Sequence, residues 1–122
     1  MGEVLVVDGA NVVGARPDGG WKDRAGAARR LHEQLMTAGV EGEVVLVLEG
    51  VATAGVRAGR DGHVTVVHAP KDGDAEIVRQ AHRAADAGHR VTVVTADRVL
   101  AARVAKAGST VGPSWLLDRL EG

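Results

Sequence analysis

The sequence contains no cysteine, no phenylalanine and no tyrosine, and has only two tryptophans and three prolines in 122 residues. Without thiols there can be no disulfide, no thiolate nucleophile and no thiolate-bound zinc. Without Phe and Tyr, the interior must be packed from Val, Leu and Ala, which suits closely stacked strand and helix layers. No apolar run is long enough to span a bilayer. The N-terminus leads into a strand with no basic region or small-residue cleavage site, so no signal peptide is expected and a soluble, cytoplasmic protein is. The formal net charge of −1 argues against a strongly basic protein that coats nucleic acid. No Gly-x-Gly-x-x-Gly turn or Gly-Lys-Ser/Thr loop supports a dinucleotide or ATP site. No Gly-x-Ser-x-Gly turn supports a serine hydrolase. The five histidines show no metal-ligand spacing.

What is present alternates between two periods. Val4-Leu5-Val6-Val7 reads as a strand buried on both faces, as in a parallel sheet. Residues 44–48, 64–67 and 91–95 read the same way, and 109–111 is a weak fifth strand. Helical stripes occupy residues 23–38, 74–87 and 97–107, each followed by glycine (Gly39, Gly88, Gly108). Residues 113–120 read as a short closing helix with Pro113 in its first turn. Residues 51–62 are glycine-rich and read as a loop with at most one helical turn. Hydrophobic residues make up 45% of the chain, enough for one core, and a single domain over 1–122 is expected. Strands alternating with helices imply an α/β fold. The expected form is a three-layer α/β/α sandwich around a mostly parallel sheet of four to five strands.

The acids fall where such a sheet would gather them. Asp8 ends the first strand, Glu49 the second and Asp97 the fourth, while Asp74 begins the helix after the third, preceded by Asp72. In an open parallel sheet all these ends point to one edge, where ligands bind. Asp74 and Asp97 are also good helix N-caps, which requires no further role. Convergence has its own cost: two carboxylates about 4 Å apart repel by roughly 4 kcal/mol at an effective dielectric of about 20. Several together should bind a cation or hold raised pKa values. An all-oxygen set favours Mg²⁺ or Mn²⁺. Arg16, Lys22, Arg24, Arg57, Arg60, Lys71 and Arg98 fall in or beside loops, as a basic rim or as ordinary solvated surface.

The segment Val6-Val7-Asp8-Gly9-Ala10-Asn11-Val12-Val13-Gly14, followed by Arg16-Pro17-Asp18-Gly19 and Trp21-Lys22-Asp23-Arg24, resembles the bacterial NYN-domain, YacP-like branch of the PIN-like nucleases. Asp72-Gly73-Asp74-Ala75-Glu76 and Thr95-Ala96-Asp97-Arg98 resemble that family's second and third acidic motifs. The resemblance implies a PIN-like fold and a metal-dependent ribonuclease. On it, Asp8, Asp74 and Asp97 would hold Mg²⁺ or Mn²⁺, and Asn11 would orient a ligand or the substrate phosphate. Asp72 or Glu76 could replace Asp74, and Glu49 is a further candidate ligand. Where some relatives carry another acid on the helix after the third motif, this chain has Ala101 and Ala102.

The expected activity is therefore hydrolysis of RNA phosphodiester bonds. Arg16, Lys22, Arg24 and Arg98 would meet phosphates, and Trp21 would either stack on a base of single-stranded RNA or pack as a lid over the first helix. The loop from Arg16 to Arg24 would lie beside the acidic edge. The alternative is a catalytically weak or inactive PIN-like module that binds RNA or protein. A phosphate-accepting signalling domain ranks last, because it would need paired early acids and a late lysine near the site. A homodimer is left open, and no membrane partner is expected.

Overall fold

A computed structural model describes residues 2–17, 22–38, 40 and 42–121 of the chain. Trp21 and the glycines Gly19, Gly20 and Gly39 singled out in the sequence lie outside the described residues. The central strand β1 (Glu3–Asp8) pairs in parallel with β2 (Glu43–Leu48) on one side and β5 (Arg90–Val94) on the other. Its Val6 lies opposite both Val45 and Val93. Flanked by strands and covered on both faces, β1 has no solvent side, which explains its unbroken apolar run. β4 (Val64–His68) extends the sheet in parallel beyond β2, and β6 (Gly108–Val111) beyond β5.

The sheet has six strands in the order β3-β4-β2-β1-β5-β6, one more than the upper expectation. The additional strand, β3 (Gly59–Asp61), lies within the segment read as a loop and pairs antiparallel with β4. The same segment also holds a 3₁₀ turn over Gly50–Gly55. β3 and β4 are joined by Gly62 and His63, and Gly62 has φ +60°. A two-residue hairpin loop requires positive φ at its first position, which glycine supplies at little steric cost.

Side chains alternate across β1 and build two cores. Leu5 and Val7 join Leu31, Leu35, Leu46 and Leu116 beneath α1 (Gly9–Ala15), α2 (Arg24–Thr37) and α5 (Pro113–Glu121). Val4 and Val6 join Ile77, Ala81, Leu100 and Val104 beneath α3 (Gly73–Asp86) and α4 (Arg98–Val104). Helices thus cover both faces of the sheet, as expected. α1 was not expected as a helix. It starts directly at the end of β1, and a Cβ at Gly9 would stand 2.7 Å from the Val47 carbonyl oxygen. Only glycine lets the chain turn so close to β2. No helix among the described residues is long and apolar enough to cross a membrane.

Candidate functional site

Three of the strand-to-helix steps at the carboxyl edge, those into α1, α3 and α4, are capped by an aspartate. Asp8 caps α1 through the Asn11 N–H at 3.3 Å, and Asp97 caps α4 through the Val99 and Leu100 N–H groups at 2.9 and 3.1 Å. At α3 the cap is Asp72, which accepts from the Ala75 N–H at 2.8 Å. This corrects the expectation that Asp74 starts that helix. Asp74 stands one position inside the helix, and its carboxylate makes no cap bond there. Such caps satisfy N–H groups that have no partner within the helix.

Asp8 is the most enclosed of these carboxylates, with 5% of its surface exposed. Burial raises its pKa above the ordinary carboxylate range. Hydrogen bonds from Thr95 and Asn11 oppose that shift, and the charges of Asp74 and Glu49 add to it. The pKa of Asp74 is also raised, by burial first and then by the charges of Asp97 and Asp72, with Arg103 opposing. The acids at the ends of β1 and β2 and at the starts of α3 and α4 therefore share one field. Glu49 reaches the start of α3, where a Cβ at Gly73 would lie 2.6 Å from its Oε1. The glycine of the Asp72-Gly73-Asp74 motif leaves the space that this carboxylate fills.

Two polar side chains tie the first motif to the third. The Thr95 hydroxyl donates to Asp8 Oδ2 at 2.9 Å and accepts from the Asp97 N–H at 3.2 Å. Asn11 Oδ1 accepts from the Ala96 N–H at 2.9 Å. Thr95, 3% exposed, is thus a bridge between two candidate ligands, a role the sequence reading had not assigned. Its only local signal is a hydroxyl between a buried strand and Asp97. Arg103, which faces the field of Asp74 from α4, was also not singled out.

Other candidates are placed elsewhere. Glu76 is buried under Arg79 and Gln80, with Arg79 Nη2 at 2.6 Å from Oε1 and Gln80 Nε2 at 2.8 Å from Oε2. Burial opposes its ionisation, but hydrogen bonds from Arg79 and Gln80 and the Arg79 charge outweigh it and lower its pKa. Its carboxylate is committed to an ion pair on α3. Arg16 follows the far end of α1 and donates to Gln34 of α2, so it is not gathered with the acids. Arg24 and Arg98 occupy the first positions of α2 and α4, and Arg24 borders a cleft shared with Glu49. Lys22 is exposed just before the Asp23 cap of α2. His63 and His68 bond the carbonyls of Leu35 and Val56.

Among the described residues, no three Asp, Glu or His side chains form a ready set that could hold a metal ion. Mg²⁺ does not need one, because it keeps several waters and usually takes one or two carboxylates. The all-oxygen donors, coupled pairwise around a buried Asp8, fit such a hydrated hard cation in chemistry.

Among solved structures, the chain is similar to Rae1 (YacP) from Bacillus subtilis. The TM-score is 0.70 at 18% sequence identity, over 98% of this chain and 75% of that one. At that identity the likeness establishes the fold, and the mostly parallel sheet with helices on both faces is consistent with a PIN-like architecture. No protein-family model matches the sequence, and a search of curated proteins by sequence found no match.

Proposed function

We propose that this chain is a divalent-metal-dependent ribonuclease acting at the carboxyl edge of its parallel sheet. The observation that carries the reading is the junction of Asp8, Thr95 and Asp97, sharing a field with Asp74 and Glu49, in a fold similar to Rae1 (YacP). Asp8, Asp74 and Asp97 would hold Mg²⁺ or Mn²⁺, with Glu49 and Asp72 contributing from the periphery. When bound, the cation would neutralise a phosphodiester oxygen and acidify a water.

The chain's own residues would do the rest. Thr95 and Asn11 hold the first and third motifs in fixed register, so the carboxylates need not reorganise when substrate arrives. Arg24 and Arg98 stand beside the acids, where they would meet phosphates of the strand. Val51 and Val99, 66% and 71% exposed, follow Glu49 and Asp97 and offer apolar surface to unpaired bases. Single-stranded RNA is the substrate that uses all three kinds of surface.

The test is cleavage of labelled single-stranded RNA by the wild type and by Asp8→Asn, with Mn²⁺ and with a chelator. Cleavage by the wild type only, and only with metal, is the expected result. Equal cleavage by both proteins would overturn the assignment. A second reading, a module that binds RNA without cutting it, is favoured by one observation: both oxygens of Asp8 already accept hydrogen bonds. Its signature would be RNA binding that is metal-independent and accompanied by no cleavage.

A further inference from the structure

On the α5 side of α1, against the acidic edge, lies an open cleft of about 500 Å³. Asn11 and Ala15 line it from α1, Ala96 from the turn after β5, and Pro113 and Ser114 from the start of α5. Ala15, Ala96 and Ser114 are exposed and Asn11 is half-buried, so each presents accessible surface there. Among the described residues, no charged side chain lines it. The cleft adjoins the candidate site twice: the Asn11 N–H donates to Asp8, and Ala96 stands between Thr95 and Asp97. Two of its polar groups are unused. The Ala96 N–H can only donate, so the Asn11 carboxamide turns its oxygen to it and its nitrogen the other way. Neither that nitrogen nor the Ser114 hydroxyl has a hydrogen-bond partner among the described residues.

We propose that this cleft holds one ribose of the RNA strand, with the Asn11 amide and the Ser114 hydroxyl on its 2′-hydroxyl, and thereby distinguishes RNA from DNA. The ribonuclease reading, on which this subsite rests, places a phosphodiester at Asp8, and every such phosphodiester carries a sugar on each side. Attack by a metal-activated water uses no 2′-hydroxyl, so a preference for RNA has to come from recognition. The lining discriminates among the parts of a nucleotide. A phosphate would find no cation in the cleft and two carboxylates next to it. The start of α5 offers it little, because Pro113 has no N–H and the Trp115 N–H already donates to the Gly112 carbonyl at 3.1 Å. A nucleobase would find no aromatic or long apolar side chain to cover its faces. A 2′-hydroxyl is uncharged and both donates and accepts, so it can accept from the Asn11 amide and pair either way with Ser114. The short side chains of Ala15 and Ala96 leave room for the sugar ring.

Ser114 and Ala15 give the means to test this, because both line this cleft and neither lines the one that Glu49 borders on the other side of α1. Ser114→Ala removes one partner of the 2′-hydroxyl at an exposed position, with no protein hydrogen bond lost. Ala15→Leu enlarges the α1 wall at the last residue of that helix. Ser109→Ala, at an exposed serine of β6 that lines neither cleft, is the control.

The experiment uses the full chain and a short single-stranded RNA carrying one 2′-deoxynucleotide at successive positions. Binding is measured as Kd in chelator and cleavage as KM with Mn²⁺. For the wild type and Ser109→Ala, one position should weaken binding about three- to tenfold, the worth of one or two lost hydrogen bonds, and the others should not. Ser114→Ala should bind the all-ribose strand more weakly and lose most of the penalty at that position, as a double-mutant cycle requires of two groups in contact. Ala15→Leu should do the same by occupying the cleft. A full penalty in Ser114→Ala would overturn the proposal. So would a flat deoxy scan with a penalty for one neutral methylphosphonate, which would assign the cleft to phosphate. Metal-dependent cleavage with a flat deoxy scan would remove the ribose site and leave the ribonuclease reading standing. A penalty at one position in binding, without any cleavage, would keep the ribose site and remove that reading. RNA neither bound nor cut would remove both.

Discussion

The Thr95 hydroxyl donates to Asp8 Oδ2 at 2.9 Å across 87 positions of sequence and joins the end of the central strand to the turn before α4. Thr95 Oγ1 in turn accepts the Asp97 N–H, so one side chain fixes the spacing of two acids. Thr95→Val keeps the shape of the side chain but removes both bonds. It should cost about 1–3 kcal/mol of stability, because a buried carboxylate and a backbone N–H lose their partners. Thr95→Ser should recover most of that loss. Chemical denaturation of the three proteins provides the check, and a Val variant as stable as wild type would show that the bridge contributes little.

Asp8→Asn should abolish RNA cleavage while leaving the fold as stable or more so. Burial raises the folded-state pKa of Asp8, so the folded chain holds this proton more tightly than the unfolded one. Its contribution to stability therefore falls as pH rises from the ordinary carboxylate range through the raised pKa, and Asp74 has the same sign. The Asn variant lacks the Asp8 part. In metal-free buffer its Tm advantage should be larger at about pH 7 than at about pH 4. A constant difference across that range would mean that Asp8 is not electrostatically strained.

Asp74 and Glu76 stand two residues apart and should behave oppositely. Glu76 has a lowered pKa, so its contribution is present above its unfolded pKa and is lost as pH falls through the folded one. Glu76→Gln should cost about 1–2 kcal/mol through the weakened Arg79 and Gln80 contacts, yet retain cleavage. Asp74→Asn should lose cleavage without loss of stability. Paired melting and cleavage measurements test this, and the reverse pattern would reassign the second motif.

That pair also shows how far sequence reasoning reaches. β1, β2, β4 and β5 were legible because strands inside a covered parallel sheet become Val- and Leu-rich runs, broken in β4 and β5 only by a threonine and a polar end residue. β3 is short and wholly exposed, so it carries no apolar pattern, and its only signal is the Asp61-Gly62 turn. α1 hides in Gly-Ala-Asn-Val-Val-Gly-Ala, where two glycines and paired valines read as turn or strand, and burial of Val12 helps anchor it. Asp8 and Asp97 were found because a strand end places them. Which of Asp72 and Asp74 caps α3 depends on a two-residue difference in helix start, which propensity does not resolve. The role of Thr95 depends on a partner distant in sequence, and no local pattern encodes it.

The basic residues should separate in salt titrations of RNA binding. Arg24→Ala and Arg98→Ala should each reduce the slope of log K against log salt by about one, since each releases about one counterion. Arg16→Ala should leave the slope unchanged, because that side chain is engaged with Gln34 at the other end of α1. Equal effects from all three would indicate a diffuse basic surface rather than contacts arranged around the acids.

Metal binding should be visible in thermal stability before any RNA is added. Asp8 and Asp74 repel each other in the folded chain and are dispersed in the unfolded one, so a cation at this edge binds the folded state selectively. Such a ligand stabilises by mass action, by about 2.7 kcal/mol at 100 times its dissociation constant. For a domain of this size, 1 kcal/mol corresponds to roughly 2–8 °C in Tm, so saturating Mn²⁺ should raise the wild-type Tm by several degrees. Asp97→Asn keeps a side-chain oxygen for the α4 cap but loses a carboxylate, so it should retain the fold and lose most of the shift. Glu76→Gln, whose carboxylate is committed to Arg79, should shift as the wild type does. If the wild type shows no shift, or Asp97→Asn shifts fully, these aspartates act as helix caps and the metal-dependent mechanism falls.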